Sequence, residues 1–166
     1  MRRGGEEDLL ANVITLIDPF QHLGPRDHRL RLIPEQLQDL RARRRPELVQ
    51  IAGGYDPLGR KHRPSTQVDW QDVLDARPEI ILLALCGYDV ARARHAYELL
   101  RQCPGFGSIP AAQTGEIYVV NASAYFSRPG PRILDSLEIL AGILHPSEFS
   151  EFAPHGPDDP RVVRAG

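Results

Sequence analysis

The chain has only two cysteines and one tryptophan in 166 residues, and much of what it lacks restricts its function. Cys86 and Cys103 fall in no CxxC or Cys/His pattern, so a structural zinc is excluded. A single disulfide or two free thiols both remain open for them. The six histidines are scattered. Only His22 and His28 are close enough to suggest a metal, and that pair has no carboxylate or thiolate at ligand spacing. Glycine forms no phosphate loop, because Gly53-Gly54 closes a helix rather than opening one. Ser127 has no base beside it, so no hydrolytic triad can be assembled, and the chain reads as a non-enzyme. No apolar run is long enough to cross a bilayer, which argues against membrane insertion. Basic charge is also in short supply: 20 Lys and Arg against 22 Asp and Glu leave a net charge of −2. That balance excludes a general binder of nucleic acid or anionic membrane. The cluster Arg41, Arg43, Arg44 and Arg45 lacks interleaved aromatics and reads as a solvated helix face. The opening MRRGGEEDLLANVITLID carries acids where an export signal carries its apolar region. As written, the chain therefore has no recognisable signal, and cytoplasmic residence is the expectation if this start is the true one.

What is present is the composition of one ordinary globular domain, 42% hydrophobic and 25% charged. That is enough to build a core without covalent staples. Residues 1–12 read as a flexible start. Val13 to Ile17 is a short β-branched strand ended by Asp18-Pro19. Pro46 to Ala52 reads as a helix, and Asp69 caps another that Pro78 ends. Glu79 to Leu85, EIILLAL, is apolar on both faces, as a central parallel strand is. A helix from Asp89 to Gln102 places Val90, Ala93, Tyr97 and Leu100 on one face. Glu116 to Val120 is a further strand. Pro131 to Leu144 is a helix with Ile133, Leu137, Leu140 and Leu144 inward, and Pro131 fits its first position. Trp70, in the first turn of its helix, reads as packing. His145 reads as a complement to the end of its own helix dipole. Residues 13–152 thus form one lobe, and the Pro, Gly and charge-rich 153–166 read as a disordered tail.

This alternation predicts an α/β fold: a single three-layer, Rossmann-like lobe with a small, mostly parallel sheet flanked by helices. In such sheets ligands sit at the carboxyl ends of the strands. Aromatics are only 7% of the chain, yet each of the three predicted ends carries at least one. Phe20 follows the first strand, Tyr88 lies in Cys86-Gly87-Tyr88-Asp89, and Tyr125 and Phe126 lie in AYFSRPGPR. Rings gathered on one edge offer stiff contact area for a flat ligand. The competing reading is that they fold back to cap the core.

These segments also carry a resemblance. PEIILLALCGYD, then IPAAQTGEIYVVNASAYFSRPGPRILDSLEILAGILHP, with PELVQIAGGYDPLG and VDWQDVLDARPE, resembles the C-terminal lobe of cobalamin-binding periplasmic proteins of ABC importers. The similarity runs from about Pro46 to Phe149, and Val13 to Phe20 matches the first strand of that lobe. The resemblance implies a periplasmic-binding-protein lobe that binds cobalamin or a related corrinoid as transported ligand, with no cofactor and no catalysis. It implies ligand contact by Tyr125, Phe126, Arg128 and Tyr88, to which the predicted strand edge adds Phe20. It implies docking to the importer's membrane subunits through an acidic residue, here Glu47, whose other reading is a carboxylate stabilising the positive end of its helix. It also implies an extracytoplasmic location.

The sequence departs from that family in three ways. The N-terminal lobe, the connecting helix and a signal are not recognisable. The stretch HLGPRDHRLRLIPEQLQDLRARRR stands where members have a short, tryptophan-bearing loop. Two other readings stay open: the same fold holding a siderophore or haem, and a truncated remnant or interaction module without a ligand.

Overall fold

A computed structural model describes residues 13–16, 45–59, 68–126 and 132–166 of the chain. The order is β1 (Val13–Leu16), α1 (Arg45–Ile51), α2 (Trp70–Ala76), β2 (Ile80–Leu83), α3 (Val90–Leu100), a 3₁₀ turn at Phe106–Ser108, α4 (Pro110–Thr114), β3 (Ile117–Val120), α5 (Ala122–Tyr125), α6 (Ile133–Leu144) and β4 (Val162–Arg164). The four strands form one sheet in the order β1-β2-β3-β4.

Alternation along β2 and β3 builds a core on each face of the sheet, because successive side chains point to opposite sides. Ile80, Leu82, Tyr118 and Val120 face α1 and α6, together with Leu48, Val49, Leu137, Leu140 and Leu144. Ile81, Leu83, Ile117 and Val119 face the other way, onto Val73, Ala93, Tyr97 and Leu100. The result is the expected three-layer α/β lobe. Trp70 packs against the second cluster and donates its indole N–H to the Pro104 carbonyl at 2.7 Å, a packing role as expected.

Strand direction departs from expectation. β2 and β3 are parallel, but β1 runs antiparallel to β2, and β4 antiparallel to β3. One pairing of three is parallel, so the sheet is mixed rather than mostly parallel. The β2–α3–α4–β3 unit is a helical crossover, which returns the chain to its starting edge and forces parallel pairing.

β4 also corrects the disordered tail. Val162 and Val163 are buried and pair with Val120 and Val119. The chain reaches them by running back along α6 after His145, so close that a Cβ on Gly142 would stand 2.4 Å from the Phe152 carbonyl carbon. That return strap reverses the direction in which the last strand enters the sheet. α6 is buried nearly all round, Ile139 and Ile143 included, rather than on one face. Arg94 on α3 donates to the Pro157 carbonyl. Asp159, 7% exposed, accepts from the Arg161 backbone N–H at 2.8 Å, its guanidinium at 3.0 Å and the His155 N–H at 3.2 Å. At the far end Arg164 bonds the Thr114 and Gly115 carbonyls and, at 2.6 Å, Glu116. Glu116 in turn accepts the Tyr118 hydroxyl at 2.6 Å. Burial and this carboxylate push the Tyr118 phenol far above its usual range.

His145 does not serve its own helix alone. Its Nε2 lies 2.9 Å from the Ala52 carbonyl, so it donates to the end of α1. Gly53 is needed there: its φ is +88°, and a Cβ would meet that nitrogen at 2.7 Å. No disulfide joins Cys86 to Cys103.

Candidate functional site

The parallel β2–β3 pair sends two loops off the same edge of the sheet. After β2, the turn at Cys86-Gly87 is closed by the Tyr88 N–H donating to the Leu85 carbonyl at 3.0 Å. Asp89 then caps α3 by accepting the Arg92 N–H at 2.9 Å. After β3, Asn121 caps α5, its side chain accepting the Ala124 N–H at 3.1 Å. AYFSRPGPR thus opens as a short helix rather than a plain loop.

The two loops are joined directly. The Ser123 backbone N–H donates to the Tyr88 carbonyl at 3.3 Å, and the Ser123 hydroxyl reaches the same oxygen at 3.4 Å. Tyr88 and the α5 segment that ends in Tyr125 therefore belong to one surface. The Tyr88 ring is half-buried, and the Arg92 guanidinium lies over it at 4.2 Å from its centroid. Tyr125 and Phe126 are also half-buried, packed against the α1/α6 core cluster on one side. The Tyr125 carbonyl accepts the Ser136 hydroxyl from α6, which fixes the end of α5. These rings both cap the core and keep an outer face.

Arg161 completes this edge, and sequence reasoning missed it. The Asn121 N–H donates to the Arg161 carbonyl at 2.9 Å, which brings the start of β4 to the α5 loop. The bond to Asp159 raises the Arg161 guanidinium further, burial opposes it, and Tyr125 and Glu138 interact with it electrostatically. Burial pushes the Glu138 carboxyl up, Asp135 adds to that, and Arg161 pulls it back. The only signal for Arg161 in the sequence was a two-residue β-branched pair between arginines, too short to read as a strand.

Three expected site residues fare differently. Arg128 and Phe20 lie outside the described residues. Leu16, the last residue of β1, pairs with Ile80, so β1 ends at the edge opposite the Tyr88 loop. The three-loop edge is corrected to two loops plus the β4 arginine, because β1 is antiparallel. Glu47 sits in the first turn of α1 at 4% exposure, which places its carboxyl in the interior rather than on a docking surface. Among the described residues, no group of three His, Cys, Asp or Glu side chains is placed to hold a metal. No helix among them is long and apolar enough to cross a membrane.

Comparison with known proteins adds the fold family. No family model matches the chain, and no curated protein matches it. Among solved structures it is similar to the TroA-like periplasmic binding protein FepB from Veillonella parvula, with a TM-score of 0.50 and 16% identity. The match covers 63% of this chain and 33% of that one, so the chain spans about a third of that protein's length. At that identity the likeness concerns the fold alone: the α/β lobe of this chain is similar to part of that binding protein's fold.

Proposed function

We propose that the chain acts as one lobe of a substrate-binding protein of an ABC importer, holding a flat ligand on the Tyr88–Tyr125 edge without catalysing a reaction. One observation carries this reading: the Ser123 bond to the Tyr88 carbonyl makes the two aromatic loops one platform at the carboxyl edge of the parallel strands. Such an edge is where open α/β sheets place their ligands. Cobalamin or a related corrinoid is the ligand we favour, because of the resemblance around CGYD and AYFSRPGPR. Tyr88, Tyr125, Phe126 and Arg128 are its proposed contacts. Glu47 is not proposed for docking, given its burial, so the membrane-subunit contact is left to other acidic groups.

A siderophore or haem on the same edge is the second reading. Titrating the chain separately with cyanocobalamin, haemin and a ferric catecholate by calorimetry tests the choice. We expect cyanocobalamin to give saturable heat at the lowest concentration of the three. Tighter binding of haemin or the ferric chelate would transfer the assignment, and no heat from any of them would leave the module reading, a lobe that binds another protein.

A further inference from the structure

The Tyr88–Arg92 pair has a chemistry of its own. Arg92 is exposed on the first turn of α3 and stacks on the Tyr88 ring at 4.2 Å. Its guanidinium enters no ion pair among the described residues. The nearest carboxylate along the helix, Asp89, is committed to the Arg92 backbone N–H, not to the guanidinium. The arginine that follows the same helix makes the contrast. Arg101 also lies over a ring, Tyr97, at 5.7 Å, but it is bound to Glu98 at 3.2 Å. The two therefore differ in pairing: Arg101 is joined to an acid, whereas Arg92 lies over its ring with its donors unspent on acid among the described residues. Arg92 and the Gly87 turn that precedes Tyr88 are both exposed. The Ser123 hydroxyl bonds the Tyr88 carbonyl, which ties the α5 loop to this turn.

We infer that Arg92, stacked on Tyr88, is the anion-recognition group of this edge, taking a phosphate or carboxylate at the rim of a ligand whose flat part lies toward Tyr125 and Phe126. The inference rests on the reading of this edge as a ligand platform. Stacking restricts the guanidinium before binding, so less side-chain freedom is lost when the fork meets an oxyanion. The contact is charge-assisted and bidentate in form, which a lysine would not reproduce.

The test uses the full chain, with the arginine Nε–H signals followed by NMR at constant ionic strength. Two anion probes separate the sources: inorganic pyrophosphate for phosphate, and citrate for carboxylate. We expect the Arg92 signal to shift saturably with at least one probe while Arg101 stays in place, and the response to disappear in Arg92→Gln. Arg92→Lys and Tyr88→Leu should each weaken the response about tenfold, by loss of the fork or of its support. Equal shifts at Arg92 and Arg101, or no shift at Arg92 with either probe, would overturn the assignment. A second arm compares cyanocobalamin with dicyanocobinamide, which lacks the nucleotide phosphate. If the corrinoid is the ligand, Arg92→Gln weakens cyanocobalamin about tenfold and leaves cobinamide unchanged. Equal loss for both would remove Arg92 from phosphate recognition. If neither corrinoid binds while the Arg92 anion response persists, the anion site stands and the corrinoid reading falls.

Discussion

Asp159 shows how a single carboxylate holds the end of the chain in place. Burial alone would raise its pKa, but the Arg161 fork and two backbone N–H groups outweigh that and hold it at about 2, below its ordinary 3.8. Because the folded value is depressed, this stabilisation is complete above about pH 4 and is lost as pH falls through about 2. A shift of this size corresponds to about 2 kcal/mol. Asp159→Asn should therefore lower the urea midpoint clearly at pH 7, and the gap between variant and wild type should close between pH 4 and pH 2. A gap independent of pH would mean that the carboxylate charge contributes nothing there. None of this was legible in the sequence, where DDPRVV reads as polar punctuation. The partners of Asp159 become visible only once the backbone folds around it. Tyr88, Tyr125 and Phe126, by contrast, stood out early, because aromatics are few and fall just after apolar runs.

At the scale of elements, α3 and α6 were legible because their apolar residues recur at helical spacing, and β2 because it is apolar on both faces. Strand direction was not, since direction depends on what the intervening chain does in space. The return strap along α6 decides it for β4, and Gly142 is the point of closest approach. Gly142→Ala would place a methyl 2.4 Å from the Phe152 carbonyl carbon. The backbone cannot yield there as a side-chain tip would, so we expect a loss of about 2 kcal/mol or more, as overpacked sites show. The loss should be accompanied by faster amide exchange in β4, because the strap delivers that strand to the sheet. Unchanged exchange at Val162 and Val163 would show that β4 holds without the strap. The same strap carries Arg161 to the α5 loop, so part of the candidate site depends on an element that composition alone marks as disordered.

For the whole molecule, the fold class followed from alternation, and the carboxyl edge from fold class. Phe20 lies outside the described residues, and Glu47 is buried because a first-turn carboxylate can face inward as readily as outward. On the proposed reading, this lobe by itself would cover one face of a corrin. Association carries a fixed cost in translational and rotational freedom, so a one-sided contact retains less than half of the net binding free energy of a two-sided one. We expect a dissociation constant on the order of 10 µM or weaker for cyanocobalamin. Tyr125 and Phe126 should contribute most of it, at about 0.5–1.5 kcal/mol per aromatic contact beyond area burial. The most direct measurement is calorimetric titration of cyanocobalamin into the wild type and into Tyr125→Ala/Phe126→Ala, with thermal unfolding of both recorded, since these rings also pack on the core. The account predicts saturable heat for the wild type and its loss in a double variant that still unfolds cooperatively. Equal binding by a folded double variant, or no heat from the wild type at millimolar ligand, would contradict it.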